Sequence, residues 1–187
     1  KQEILLLTNS KSHGLYSCPA QLLKYSCDII SPVLSEIFNT SIIQGVYPSK
    51  LKISKITPVF KNDETDASNY RPTIFLLSNF NRIFEKLMYN RMIDFIDQND
   101  IIYSSQYGFR KAHSTQHAIL EIVEAIQNNI NNRLFSCGVF IDLKKAFDTV
   151  NHKVLLDKIN YYGFRGIIHE WFQSYLTNRT QTTQIGS

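Results

Sequence analysis

Cys137-Gly-Val-Phe-Ile-Asp-Leu143, running on into Lys144-Lys-Ala-Phe-Asp148, is the stretch on which the reading of this chain turns. Val139, Phe140 and Ile141 form a short continuous apolar run, the pattern of a buried strand, and Asp142 sits at its end. An ionised carboxylate beside a buried strand is costly unless it is paired or bound to a metal. Mg²⁺ favours one or two carboxylates together with substrate phosphate oxygens and water. Asp142 therefore suits half of a nucleotidyl-transfer site, where two such ions stabilise the entering and leaving oxygens of an in-line displacement. The residues alone equally allow Asp142 to cap a turn or to pair with Lys144 or Lys145. Asp148 precedes Thr-Val-Asn-His and a helical run, which favours a helix cap. Phe147 reads locally as a core residue.

Working outward, Asn151 to Tyr161 and Gly166 to Leu176 read as helices separated by Gly163, and Thr180 to Ile185 as the start of a strand. Upstream, Ser114 opens a helix with Ala118, Ile119, Ile122, Val123 and Ile126 at helical spacing, ended by Asn128 to Asn132. A loop carries Gln106-Tyr-Gly-Phe-Arg110. Ser78 or Asn79 caps the clearest helix, whose Phe80, Ile83, Phe84, Leu87, Met88 and Phe95 demand one buried face. Ile53 to Phe60 and Thr73 to Leu77 predict a hairpin, with Pro58 at an edge or a bulge and the polar stretch Lys61 to Asn69 at its tip. At the start of the chain, Pro19 to Ile30 reads as one helix. A second restarts at Ser31-Pro32 and stops at Gly45.

Lys61 and Arg71 flank the hairpin tip and suit either phosphate contacts or a solvated rim. Arg110 and Lys111 suit a nucleic-acid backbone, or else a helix lead-in whose turn is fixed by Gly108. His113 and His117 have i, i+4 spacing, but no nearby Glu or Cys completes a metal set. No Gly-rich phosphate loop or Ser/His/Asp arrangement is visible.

The 187 residues contain 43% hydrophobic, 12% aromatic and 19% charged side chains, which excludes a disordered tail and provides for a core. The net charge of +4 permits an anionic partner without requiring one. Three widely spaced cysteines form no disulfide or zinc pattern, as expected of a reducing compartment. No apolar run has the length of a membrane span, and Ile4 to Leu7 is too short for a signal-peptide core. The first residue, Lys1, suggests a clipped or partial chain.

Four segments follow one another in order: NYRP at Asn69 to Pro72, LLSNFNRIFEKLMYNR at Leu76 to Arg91, QYGFRKAHST at Gln106 to Thr115, and FIDLKKAFDTVNH at Phe140 to His152. Together with the helical lead-in from Pro19 to Pro48 and the strand segment Leu51 to Lys61, they cover almost the whole chain. This resembles the reverse transcriptase domain of non-LTR (LINE-type, jockey-like) retrotransposons. Group II intron and telomerase-like relatives share the fold, but the NYRP and LLSNFNRIFEK wording favours the LINE type.

The resemblance implies an α+β right-hand polymerase fold cut to its fingers and the start of its palm. Residues 1–49 would be a helical extension, 50–132 fingers-like, and 133–187 a partial palm. It implies Asp142 as the first catalytic aspartate and a ligand of two Mg²⁺ ions, with the Leu143 carbonyl on one of them. It implies Phe147 as an aromatic gate against the 2′-hydroxyl, Arg71 and Lys61 as clamps on the incoming triphosphate, and Gln106, Gly108 and Arg110 as template contacts. The implied partners are an RNA template, a DNA primer and a dNTP, with no membrane, in cytoplasm or nucleus. Thr73-Ile-Phe75 makes the run after Pro72 one residue longer than the family's usual one. The family's next motifs, a Pro-Gln-Gly segment and a Tyr-Ala-Asp-Asp-type hairpin, are not in this sequence, so the 187 residues alone are expected to lack polymerase activity. The alternative from another class is a catalytically inactive, nucleic-acid-binding remnant of a mobile element.

Overall fold

The computed structural model describes residues 1–9, 18–60, 70–143 and 146–183. Along these residues run α1 (Gln2–Leu5), α2 (Ala20–Tyr25), α3 (Cys27–Ile43), a 3₁₀ turn at Ser49–Lys52, β1 (Ile53–Phe60), β2 (Tyr70–Leu76), α4 (Asn79–Gln98), α5 (Thr115–Asn131), α6 (His152–Tyr161), α7 (Ile167–Leu176) and β3 (Thr180–Thr183). The class is α+β. Two compact units divide the chain: unit 1 comprises Lys1–Met92 and Asn151–Ser187, and unit 2 comprises Ile93–Val150. No helix among the described residues is long and apolar enough to cross a membrane.

Unit 1 is built on a three-stranded sheet of order β2-β1-β3, with β1–β2 antiparallel and β1–β3 parallel. The expected hairpin and the expected last strand both form. The antiparallel register pairs Thr57 with Ile74 but Pro58 with Pro72, so Thr73 is the extra residue of a bulge. The bulge falls in the Thr73-Ile-Phe75 run after Pro72. It also explains how a central strand accepts Pro58. Among the described residues the β3 pairing runs only as far as Ile56, short of Pro58, and the two prolines face each other where the β1–β2 ladder is interrupted.

The core of unit 1 is aromatic. Phe84 of α4 is fully buried and stacks on Phe38 of α3 with centroids 4.2 Å apart. Tyr47 stacks on the same ring at 5.4 Å and meets Trp171 and Tyr175 of α7 edge to face at 5.2 and 5.0 Å. Ile83, Phe84 and Met88 are the buried face that the α4 spacing demands. Polar groups entering this core are mostly paired: Trp171 Nε1 donates to Ser41 Oγ at 3.1 Å, and Ser41 Oγ donates to the Val46 carbonyl at 2.6 Å. The Tyr47 hydroxyl donates to Asn81 Oδ1. Asn81 Nδ2 is buried with no hydrogen-bond partner among the described residues.

The sequence signals at helix ends are met unevenly. Ser78 Oγ accepts from Asn81 N at 3.2 Å and Ser114 Oγ from His117 N at 3.3 Å, as expected of N-caps. Gly45 ends α3 at φ +65°, with Val46 N bonded to Ser41 O and Gly45 N to Ile42 O, the paired bonds of a Schellman motif. Three expectations are corrected. The break near the chain start falls at Ser26, not at Ser31-Pro32; Pro32 lies inside α3. Burial of Cys27 fixes where α3 begins, a tertiary constraint that the local Ser-Pro signal does not carry. Asn151, not Asp148, caps α6, its Oδ1 accepting from Lys153 N and Val154 N at 2.9 and 3.2 Å; Asp148 lies one turn too early to reach those amides. Residues 137–143, expected as a strand, have no regular secondary structure, and Val139, Phe140 and Ile141 are exposed. A strand exists only by pairing, and no described segment pairs with this one.

Candidate functional site

In unit 2, the loop ahead of α5 holds its shape largely through its own hydrogen bonds. Gln106 Nε2 donates to the Gly108 carbonyl at 3.1 Å. Arg110 Nη1 donates to the carbonyls of Tyr103 and Ser104 at 3.2 and 3.5 Å, which ties the guanidinium to the start of the loop. Tyr107 donates to Glu121 of α5, and that bond raises the phenol's pKa above its usual value. Left-handed backbone falls on Phe109 (φ 62°) and Ala112 (φ 60°), not on Gly108 as the turn reading supposed. Two non-glycine residues in that region are a local cost that the hydrogen bonds around them offset.

Phe147 meets this loop. Its ring lies edge to face with Phe109, centroids 6.1 Å apart at 82°. The core reading of Phe147 fails, since the residue is 79% exposed. Asp142 and Leu143 are exposed in the same unit. Asp142 has no hydrogen bond or ion pair among the described residues, whose ion pairs are Lys1–Asp28 and Lys153–Asp157. Lys144, Lys145 and Lys61 lie outside the described residues. Arg71 belongs to unit 1, on β2 opposite Val59.

These donors set what the described residues can hold. No group of three or more His, Cys, Asp and Glu residues suited to a metal occurs among them, His113 and His117 included. An exposed, unpartnered carboxylate followed by a backbone carbonyl fits part of one ion's shell, the rest being phosphate and water. It does not fit two ions on its own.

The sequence reading also missed one constellation. Glu85, Tyr175 and Arg179 line a cleft of about 470 Å³ in unit 1. They come from α4, α7 and the turn after α7, so no local spacing announces them.

The sequence matches the family described as "Reverse transcriptase (RNA-dependent DNA polymerase)" over residues 59–186, and the chain belongs to that family. Among curated relatives it is 32% identical over 149 residues to the RNA-directed DNA polymerase from mobile element jockey of Drosophila melanogaster, an alignment covering 79% of this chain and 16% of the relative. It is 30% identical over 154 residues to the probable RNA-directed DNA polymerase from transposon BS of the same species, covering 78% and 16%. A probable RNA-directed DNA polymerase from transposon X-element, also of that species, is 28% identical over 192 residues, covering 94% and 19%. The chain thus spans less than a fifth of the length of these relatives.

Proposed function

We propose that this chain is the fingers and the opening of the palm of a retrotransposon RNA-directed DNA polymerase, which in its whole protein joins a primer 3′-hydroxyl to the α-phosphate of a dNTP while copying RNA. Family membership and the order of the four motifs support the reading. The observation that carries it is Asp142: a carboxylate left exposed and unpartnered among the described residues, in the motif where the family places its first catalytic aspartate.

In this reading residues 50–132 are the fingers, 133–187 the opening of the palm, and 1–49 a helical support. Asp142 and the Leu143 carbonyl would hold Mg²⁺, which when bound neutralises phosphate charge and stabilises the reacting oxygens. The chain's other residues bind and orient. Arg71 and Lys61 hold the triphosphate, Arg71 by a two-pronged contact and Lys61 as a mobile point charge. Phe147 crowds the position of a 2′-hydroxyl, and Gln106, Gly108 and Arg110 border the template. The partners are an RNA template, a DNA primer and a dNTP.

The test is a chimaera in which this chain replaces the matching segment of the Drosophila melanogaster jockey polymerase. Primer extension on RNA is expected, and Asp142→Asn should lower it at least about a thousandfold, equivalent to about 4 kcal/mol. Extension that survives Asp142→Asn would refute the assignment. The bare donor set of unit 2 favours the second reading, a binding-only remnant, if the chimaera is inactive while the chain still binds RNA in a salt-dependent way.

A further inference from the structure

The cleft in unit 1 has a chemistry of its own. Its walls come from β1, α4, α6, α7 and β3, and none of its residues has a role in the reading above. One end is cationic. Arg179 lies over the Tyr175 ring at 4.8 Å and spends one donor on the Tyr175 carbonyl at 3.4 Å, leaving the rest of its five N–H groups. His152 lines the same cleft, and Lys52, outside the lining itself, donates to Ser174 Oγ at 3.4 Å and is close enough to feel the Arg179 charge. Neither Lys52 nor Arg179 has a carboxylate in an ion pair among the described residues. Burial and the neighbouring Arg179 charge both lower the Lys52 pKa from its usual value. Two crowded, partly buried cations with no direct ion pair among the described residues, and only the Glu85 carboxylate across the cleft, are relieved by a further anion.

The other side is an acceptor. Glu85 receives the Tyr175 hydroxyl on Oε1 at 2.7 Å and keeps acceptor capacity on the remaining oxygen. A bare phosphate would meet repulsion from this carboxylate. A ligand carrying both a phosphate and hydroxyl donors satisfies both sides, and a cleft of about 470 Å³ has the size of a small-molecule site.

We propose that this cleft binds a ribonucleotide unit, its phosphate on Arg179, Lys52 and His152 and its ribose hydroxyls donating to Glu85. The unit comes either from a free nucleotide or from an RNA strand. This goes beyond the polymerase reading, which stands or falls on primer extension, whereas the cleft stands or falls on binding by the 187-residue chain.

The experiment is fluorescence anisotropy of the chain with labelled twelve-nucleotide oligouridylate and its deoxy counterpart, titrated with salt and with UMP. Melting temperatures run in parallel verify that each variant folds. Lys52→Gln is expected to weaken both oligonucleotides at least fivefold and to reduce the salt slope by about 0.7, the share of one phosphate contact on a single strand. His152→Gln, at an exposed position, should weaken both without moving the melting temperature. Glu85→Gln keeps an acceptor for Tyr175 and should abolish a preference for ribo over deoxy. Displacement by millimolar UMP assigns the free nucleotide as the source; a Lys52-dependent complex that UMP does not displace assigns the strand. Wild-type affinity and slope in both Lys52→Gln and His152→Gln, or no binding by the wild type at low salt, would overturn the proposal.

Discussion

The rings of Phe109 and Phe147 meet edge to face, 6.1 Å apart, although both side chains are more than three-quarters exposed. The contact joins the loop before α5 to the segment after Asp142 inside unit 2, with little burial to hold either ring. Such a pair contributes about 0.5–1.5 kcal/mol beyond its area. Phe147 is thus placed by a light contact and shielded from water on few sides, which is compatible with the gate role proposed for it.

Phe147→Val therefore separates function from stability. In the jockey chimaera it should raise ribonucleotide incorporation relative to deoxyribonucleotide at least tenfold, about 1.4 kcal/mol of lost discrimination. In the isolated chain it should move the melting temperature by less than about 2 °C. A large loss of stability with unchanged sugar selectivity would return Phe147 to a structural role.

Gly45 provides a test of the unit 1 framework. At φ +65° an alanine is strained by about 1–2 kcal/mol, and its Cβ would stand 3.3 Å from the Ile167 backbone carbonyl and 3.1 Å from Glu170 Oε2. The carboxylate can swing aside; the carbonyl at the start of α7 cannot. Gly45→Ala should cost about 2 kcal/mol in urea denaturation, and a cost below about 0.5 kcal/mol would show that α7 is not seated on this turn.

Much of this framework is legible in the sequence because its signals are local. The Ile83, Phe84 and Met88 period, the Ser114 cap and the Gly45 stop each act within a turn or two of helix. The reading fails where the deciding partner is distant. Ser31-Pro32 looks like a helix start only until the burial of Cys27 is known. Cys137 to Leu143 has a strand's composition, but composition supplies no ladder partner. At the candidate site, Asp142 gains meaning from the order of four motifs, while the Arg110 side chain turns into its own loop through contacts no motif encodes.

Phe84→Ala should be the most damaging core change. The side chain has no exposure, stacks on Phe38 and Tyr47, and meets Trp171 edge to face. Truncation is expected to cost about 3–5 kcal/mol, read as a fall in the urea midpoint of unit 1. The exposed Ile119 on α5 is the control: Ile119→Ala should cost less than about 1 kcal/mol. Equal costs at the two positions would contradict the aromatic core.

Alkaline pH should weaken the fold through the same core. Burial, reinforced by Glu85, raises the pKa values of both Tyr47 and Tyr175 above 10. Below the unfolded value of about 10 both states keep the phenolic protons, and this stabilisation is fully present. Above it the unfolded chain releases protons that the folded chain retains, so stability falls as pH rises, by up to about 1.4 kcal/mol per pH unit for each tyrosine. Urea midpoints between pH 9 and 11 should drop less steeply in Tyr175→Phe than in the wild type. Parallel curves would show that Tyr175 ionises as freely in the fold as outside it.

The isolated chain should bind RNA and yet extend no primer. In-line transfer between two ions needs carboxylates to hold both, and the described residues contain no group of three or more His, Cys, Asp and Glu suited to a metal. With annealed RNA template and DNA primer, dNTPs and Mg²⁺, the purified 187-residue protein should give no product above a blank, and Asp142→Asn should change nothing there while silencing the chimaera. The contrast separates a carboxylate that contributes to a larger site from one that suffices alone. Processive extension by the isolated chain would mean that Asp142 is not the limiting ligand and would overturn this prediction.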